Sequence, residues 1–172
     1  MTKFGSRYRK ILAHRARRAI LVVAMVLGTF AVSTGAASAD TSKCPPPTGY
    51  ATCFELTERS VDYVVYVGID IYMTRQQAED LISPPGEEFS AKVWGIDPVW
   101  DNALFNLPVI RSWASDGGLS AEFQLTVTKN WLDEDWDGED ELQGRVRLYD
   151  HRNNRYLEYR TGVIHETIHR YP

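Results

Sequence analysis

The sequence predicts a mainly β protein, an antiparallel β-sandwich with one short helix, preceded by a signal peptide. Three observations lead there. In 119–128, Leu119, Ala121, Phe123, Leu125 and Val127 alternate with Ser120, Glu122, Gln124, Thr126 and Thr128. The same period of two runs through 61–73 on β-branched and aromatic residues, so both segments read as strands with one buried face. Turn-forming residues separate such runs, and one segment alone has a helix start.

The elements follow in chain order. Residues 1–18 hold seven basic side chains and no acid, and an apolar run over 19–30 follows. That run is too short to span a bilayer comfortably, and Ala37, Ser38 and Ala39 form a small-residue cleavage site. Residues 1–39 therefore read as a secretory signal peptide, cut before Asp40. Arg17 and Arg18 loosely resemble a twin-arginine export signal. Residues 40–60 form a disulfide-bearing N-terminal segment and 61–172 the sandwich domain. Cys44 and Cys53 flank a Pro-rich turn, and in an oxidising compartment they are expected to pair.

In 61–73, Val61, Tyr63, Val65, Val67, Ile69, Ile71 and Met73 take the odd positions, and Gly68 is a candidate bulge. Thr74 with Gln77 is a capping-box signature, so 75–82 reads as a short helix, stopped by Ser83, Pro84, Pro85 and Gly86. A strand over 88–96 and a loop over 97–102 come next. The pattern over 103–114 is mixed around Pro108, with 109–113 a candidate edge strand, and 115–118 reads as a hairpin turn. Beyond an acidic stretch, 142–149 alternates again, 150–154 is a polar turn, and 155–168 reads as one long or two short strands.

Charge bounds the function. Without the signal peptide, 12 basic side chains face 23 acidic ones, a balance of −11. Nucleic acid and anionic membrane both need a basic face, so neither is an expected partner. The expectation is a secreted, extracellular protein that does not insert in a membrane after signal cleavage.

The acids are concentrated. Seven of the nine residues from Asp133 to Glu141 are acidic, and no Lys or Arg occurs between Lys129 and Arg145. Asp133, Asp135, Asp137 and Gly138 follow the pattern D-x-D-x-D-G. Carboxylates on alternate residues converge when the backbone curls, and glycine permits the sharp turn. This stretch resembles the calcium loops of EF-hands, dockerins and thrombospondin-type repeats. The resemblance implies carboxylate ligands from Asp133, Asp135 and Asp137 and a backbone carbonyl from Glu139. It covers about nine residues, and it departs from the EF-hand at Gly144, where a bidentate Glu belongs, and at Asp140, where an apolar residue belongs. With strands as flanks, the implied carrier is a C2-like β-sandwich. The alternative is a solvated acidic loop. If 109–113 is a strand, strand parity puts the 97–102 loop at the same end, where Asp97, Asp101 and Asp140 are further candidate Ca2+ ligands. If it is not, that end holds the helix, Glu87 and Glu88.

His165, Glu166 and His169 match the zinc motif H-E-x-x-H. On a helix the two histidines would stand about 6 Å apart along the axis. On a strand they are about 13 Å apart, too far for one ion. The local residues are β-branched and carry no N-cap, so a strand is expected. No serine, cysteine or paired-carboxylate constellation selects a reaction, and an enzyme is not the expectation. Trp100, Trp113, Trp131 and Trp136 lie in or beside loops, as a binding platform for protein or carbohydrate or as caps packed over the sandwich. The functional expectation is a calcium-binding interaction module for an extracellular protein or glycan. A secreted inhibitor of extracellular proteases is the alternative, and a zinc metallohydrolase a third.

Overall fold

The computed structural model describes residues 40–44, 49–82, 88–133 and 138–168. The expected signal peptide lies outside them. Among the described residues nine strands and one α-helix follow in order: β1 Asp40–Lys43, β2 Tyr50–Glu58, β3 Asp62–Ile71, α1 Arg75–Leu81, β4 Phe89–Gly95, β5 Asn102–Leu107, β6 Val109–Ser115, β7 Gly118–Thr128, β8 Asp140–Asp150 and β9 Arg155–Glu166. They form two antiparallel sheets, β1-β2-β3-β7-β6 and β5-β4-β8-β9. This is the sandwich the sequence predicts, with one α-helix among the described residues.

Alternation decides which face is buried. Val65, Val67 and Phe123 are fully buried inward residues of the first sheet, and Val93, Leu142 and Val146 those of the second. Phe89 and Phe123 meet across the core edge to face, with ring centroids 6.2 Å apart. The capping box on α1 is complete: Gln77 N–H donates to Thr74 Oγ1 (3.3 Å) and Thr74 N–H to Gln77 Oε1 (2.9 Å). Ala78 and Leu81 bury the inner side of this helix.

The disulfide-bearing segment supplies the first two strands. Cys44 and Cys53 are bonded, and Phe54 and Leu56 of β2 enter the core. Because this bridge closes a loop of nine residues' separation, replacing both cysteines by serine should lower stability by about 2–3 kcal/mol. Calorimetric melting of the two proteins checks this.

Two strands were hard to read for one physical reason, a change of parity. β5 pairs Val93 with Phe105 and then Trp94 with Ala103, so one extra residue interrupts its alternation. β6 does the same between Val109 and Arg111. Pro108 joins them where the chain crosses from one sheet to the other. In β9 the register shifts opposite Gly144, whose N–H is satisfied by Thr161 Oγ1 at 2.9 Å. Beyond that shift Ile164 is the buried residue, and the strand stays single. Gly68 is not a bulge: pairing runs unbroken through it to Cys53 on one side and Glu122 on the other.

The β8–β9 turn is held by one buried carboxylate. Asn153 Nδ2 donates to Asp150 Oδ2 (2.7 Å), and Arg152 N–H and Nε–H both donate to Oδ1 (3.1 Å each). The Asn153 bond leads in drawing this carboxyl down from 3.8 to about 2; burial opposes it and Arg152 adds to it. A depressed folded pKa gives stability that is complete above the unfolded value and lost as pH falls toward about 2. Asp150→Asn should therefore cost about 1–2 kcal/mol at neutral pH. It should also flatten the acid limb of a stability-versus-pH curve between roughly pH 4 and 2.

Candidate functional site

One end of the sandwich gathers most of the residues singled out in the sequence. β4 ends at Gly95, which pairs with Asn102 on one side and Leu142 on the other. Asp140 pairs with Glu166 at the end of β9, and Asp62 with Thr128 at the end of β7. Ile96 N–H donates to the Glu141 carbonyl at 2.7 Å, tying the 96–101 loop to the first residues of β8. The 97–102 loop thus shares its end with both flanks of the acidic stretch. Helix α1 follows the opposite end of β3, as the parity argument expects when 109–113 is a strand.

The candidate cation ligands fare differently. Asp135 and Asp137 lie outside the described residues. Asp133 follows a 3₁₀ turn at Lys129–Trp131 and donates its N–H to the Lys129 carbonyl (3.2 Å). Asp140 is buried at the start of β8. Asp97 accepts from Asn102 Nδ2 at 3.3 Å. Asp101 is ion-paired with the buried Arg145, whose guanidinium lies 4.4 Å from the Trp94 ring centroid and donates from Nε to Gln143 Oε1. Glu139 and Glu141 each stand 3.6 Å from His165 Nδ1. Among the described residues, three ligand atoms of the metal-binding types converge only at Cys44, Cys53 and Glu55, where the two sulfurs are bonded to each other.

A buried layer at this end was not anticipated. Lys129 is ion-paired with Glu58, and its Nζ lies 5.7 Å from the Tyr63 ring centroid. Thr41 Oγ1 donates to Glu166 Oε2 at 2.7 Å. Burial, then the charges of Glu58, Glu166 and Asp140, push the Tyr63 phenol up to about 12. The acids are therefore not confined to one loop: Glu58, Asp140 and Glu166 act together on the same buried hydroxyl. In the sequence Tyr63 and Lys129 read as a core residue and an ordinary flanking base, and only the register brings them together.

The four tryptophans separate. Trp100 is 77% exposed on the 96–101 loop, beside Val99 at 74%. Trp131 is 56% exposed and packs its ring 5.7 Å from that of Phe105. These two rings, with Leu104 and Leu125, line an open groove of about 710 Å³ along the edge strand β5. Trp113 lies elsewhere, on the outer face of the five-stranded sheet. Trp136 is outside the described residues.

β9 runs through His165 and Glu166 as an extended strand, so the helix on which an H-E-x-x-H pair binds zinc is not formed at these two residues. His165 is exposed, and His169 lies outside the described residues. No family model, characterised protein or solved structure matches the chain.

Proposed function

We propose that the chain is an exported β-sandwich that binds calcium through the acidic loop and presents that end to an extracellular protein or glycan. The observation that carries this reading is the sharing of one end by Trp100, Val99 and Trp131, exposed to water, and by both flanks of the acidic loop. Large apolar side chains held in solvent are costly unless something covers them, and such patches mark interaction sites. A cation in the neighbouring loop would offset the repulsion among its carboxylates and fix the loop beside the aromatic residues. Export is supported by the N-terminal charge pattern and by the Cys44–Cys53 bond, which persists in oxidising compartments. Among the described residues no helix is long and apolar enough to cross a membrane.

Titrating the secreted protein with calcium chloride in a calorimeter tests the reading. Saturable heat is expected, with Kd in the range of roughly 10⁻⁶ to 10⁻³ M spanned by weak sensors and extracellular modules. A flat titration at millimolar calcium would remove calcium from the account.

A further inference from the structure

The outer face of the five-stranded sheet carries a depression of about 260 Å³. Register explains its shape. One row across the sheet is Cys53, Gly68, Glu122 and Arg111; the next is Ala51, Asp70, Ser120 and Trp113. Gly68 sits within the first row with no side chain of its own. The tip of Tyr66 leans over it: a Cβ at residue 68 would lie 2.8 Å from the Tyr66 hydroxyl oxygen. Trp113, Asp70 and the Cys44–Cys53 bridge complete the walls. Glycine inside a strand marks a point where something approaches the backbone closely, and here it is the Tyr66 ring, which lies over Gly68 and forms one side of the depression.

The chemistry of the walls selects the occupant. Asp70 and Glu122 line the depression, and Glu55 stands beside it with a carboxylate oxygen 3.3 Å from Cys53 Sγ. Ser120 Oγ donates to Asp70 Oδ1 at 2.5 Å and fixes that carboxylate. The protein already seats a guanidinium at the rim: Arg111 lies 4.1 Å from the Trp113 ring centroid and 3.0 Å from Glu122 Oε1. Against that one cation stand three carboxylates. Their field agrees with the Tyr66 phenol, which burial first, then Glu122, Glu55 and Asp70, hold above its usual range. Carboxylates beside an aromatic face fit an extended organic cation with an apolar stem. They suit a metal ion less, because among the described residues Asp70 and Glu122 do not join a third ligand at one point.

We infer that this depression, walled by Tyr66, Trp113, Asp70 and Glu122, is a binding site for a guanidinium or alkylammonium group. That group is either a small free cation or the basic side chain of a bound polypeptide. The site is distinct from the acidic-loop end and does not depend on calcium.

The test is a calorimetric titration of the intact secreted protein with three probes: Nα-acetyl-L-argininamide, the peptide acetyl-Gly-Arg-Gly-amide, and Nα-acetyl-L-citrullinamide as the uncharged analogue. Millimolar binding of the acetylated argininamide, with its citrulline analogue silent, is the expected result, and equal affinity for the peptide marks the free cation as the sufficient ligand. Peptide binding about tenfold or more tighter instead identifies the source as a polypeptide. Asp70→Asn combined with Glu122→Gln, both near-isosteric, should weaken either cation about tenfold or more. An unchanged melting curve certifies that the double variant is folded. No heat with either cation at tens of millimolar, or undiminished binding by the folded double variant, overturns the site. Unchanged binding by an Asp135→Ala variant separates this outcome from that of the calcium reading.

Discussion

Gly118→Ala should cost at least about 3 kcal/mol and lower the melting temperature by roughly 10 °C. Gly118 ends the β6–β7 turn with φ of +125°, a region L-residues rarely adopt. A Cβ there would stand 2.1 Å from the Ile71 carbonyl oxygen and 3.0 Å from Met73 N. Both obstacles are backbone, so no side chain can turn aside to relieve them. The chain would have to break the pairing of β7 with β3 at Ile71 and Leu119, next to the core. Domains of this size are stable by only about 5–15 kcal/mol, so the loss is a large share. Gly117→Ala is the control. Its nearest neighbour would be Ser115 Oγ at 3.5 Å, an ordinary contact, and denaturant melting should show a change within about 0.5 kcal/mol.

The second large effect concerns the ion. A ligand that binds only the native state stabilises it by about 2.7 kcal/mol at a hundred times its Kd. Saturating calcium should raise the melting temperature of the wild type accordingly. Asp135→Ala combined with Asp137→Ala should abolish that response. The calcium-free variant should melt at or above the wild-type temperature, because two like charges leave a crowded loop. His165→Ala should leave the calcium response in place, since His165 is exposed on β9 and pairs with Glu139 and Glu141 at 3.6 Å, contacts of small energetic weight at a surface. Scanning calorimetry with calcium and with chelator reads all three proteins.

Strands whose alternation is unbroken were legible in the main, although β3 is shorter at both ends than the 61–73 expected and Val61 is exposed rather than on its buried face. β7 and β3 bury the faces their sequences assign, and the capping box on Thr74 and Gln77 forms as its residues require. The difficult stretches are those where a register shift changes parity, since the period of two then stops midway. β5, β6 and β9 all carry such a shift, at 103–105, at Ile110 and opposite Gly144. Gly68 was legible as unusual, yet its purpose was not. A glycine that bends a strand and one that makes room for a neighbouring side chain, here Tyr66, look alike until the pairing with Cys53 and Glu122 is known. The site shows the same division. The crowding of acids from Asp133 to Glu141 is local and visible in the sequence. The engagement of Asp101 by Arg145 and the layer of Lys129, Glu58 and Tyr63 join residues 44 to 71 positions apart, and no local pattern announces them.

Metal content decides whether the acidic stretch holds calcium. Equilibrium dialysis of the purified protein against calcium, followed by elemental analysis, should find about one calcium per chain, lost in the Asp135→Ala, Asp137→Ala protein and retained in His165→Ala. Calcium no higher than in the double variant would contradict the account. So would one equivalent of zinc that disappears with His165→Ala.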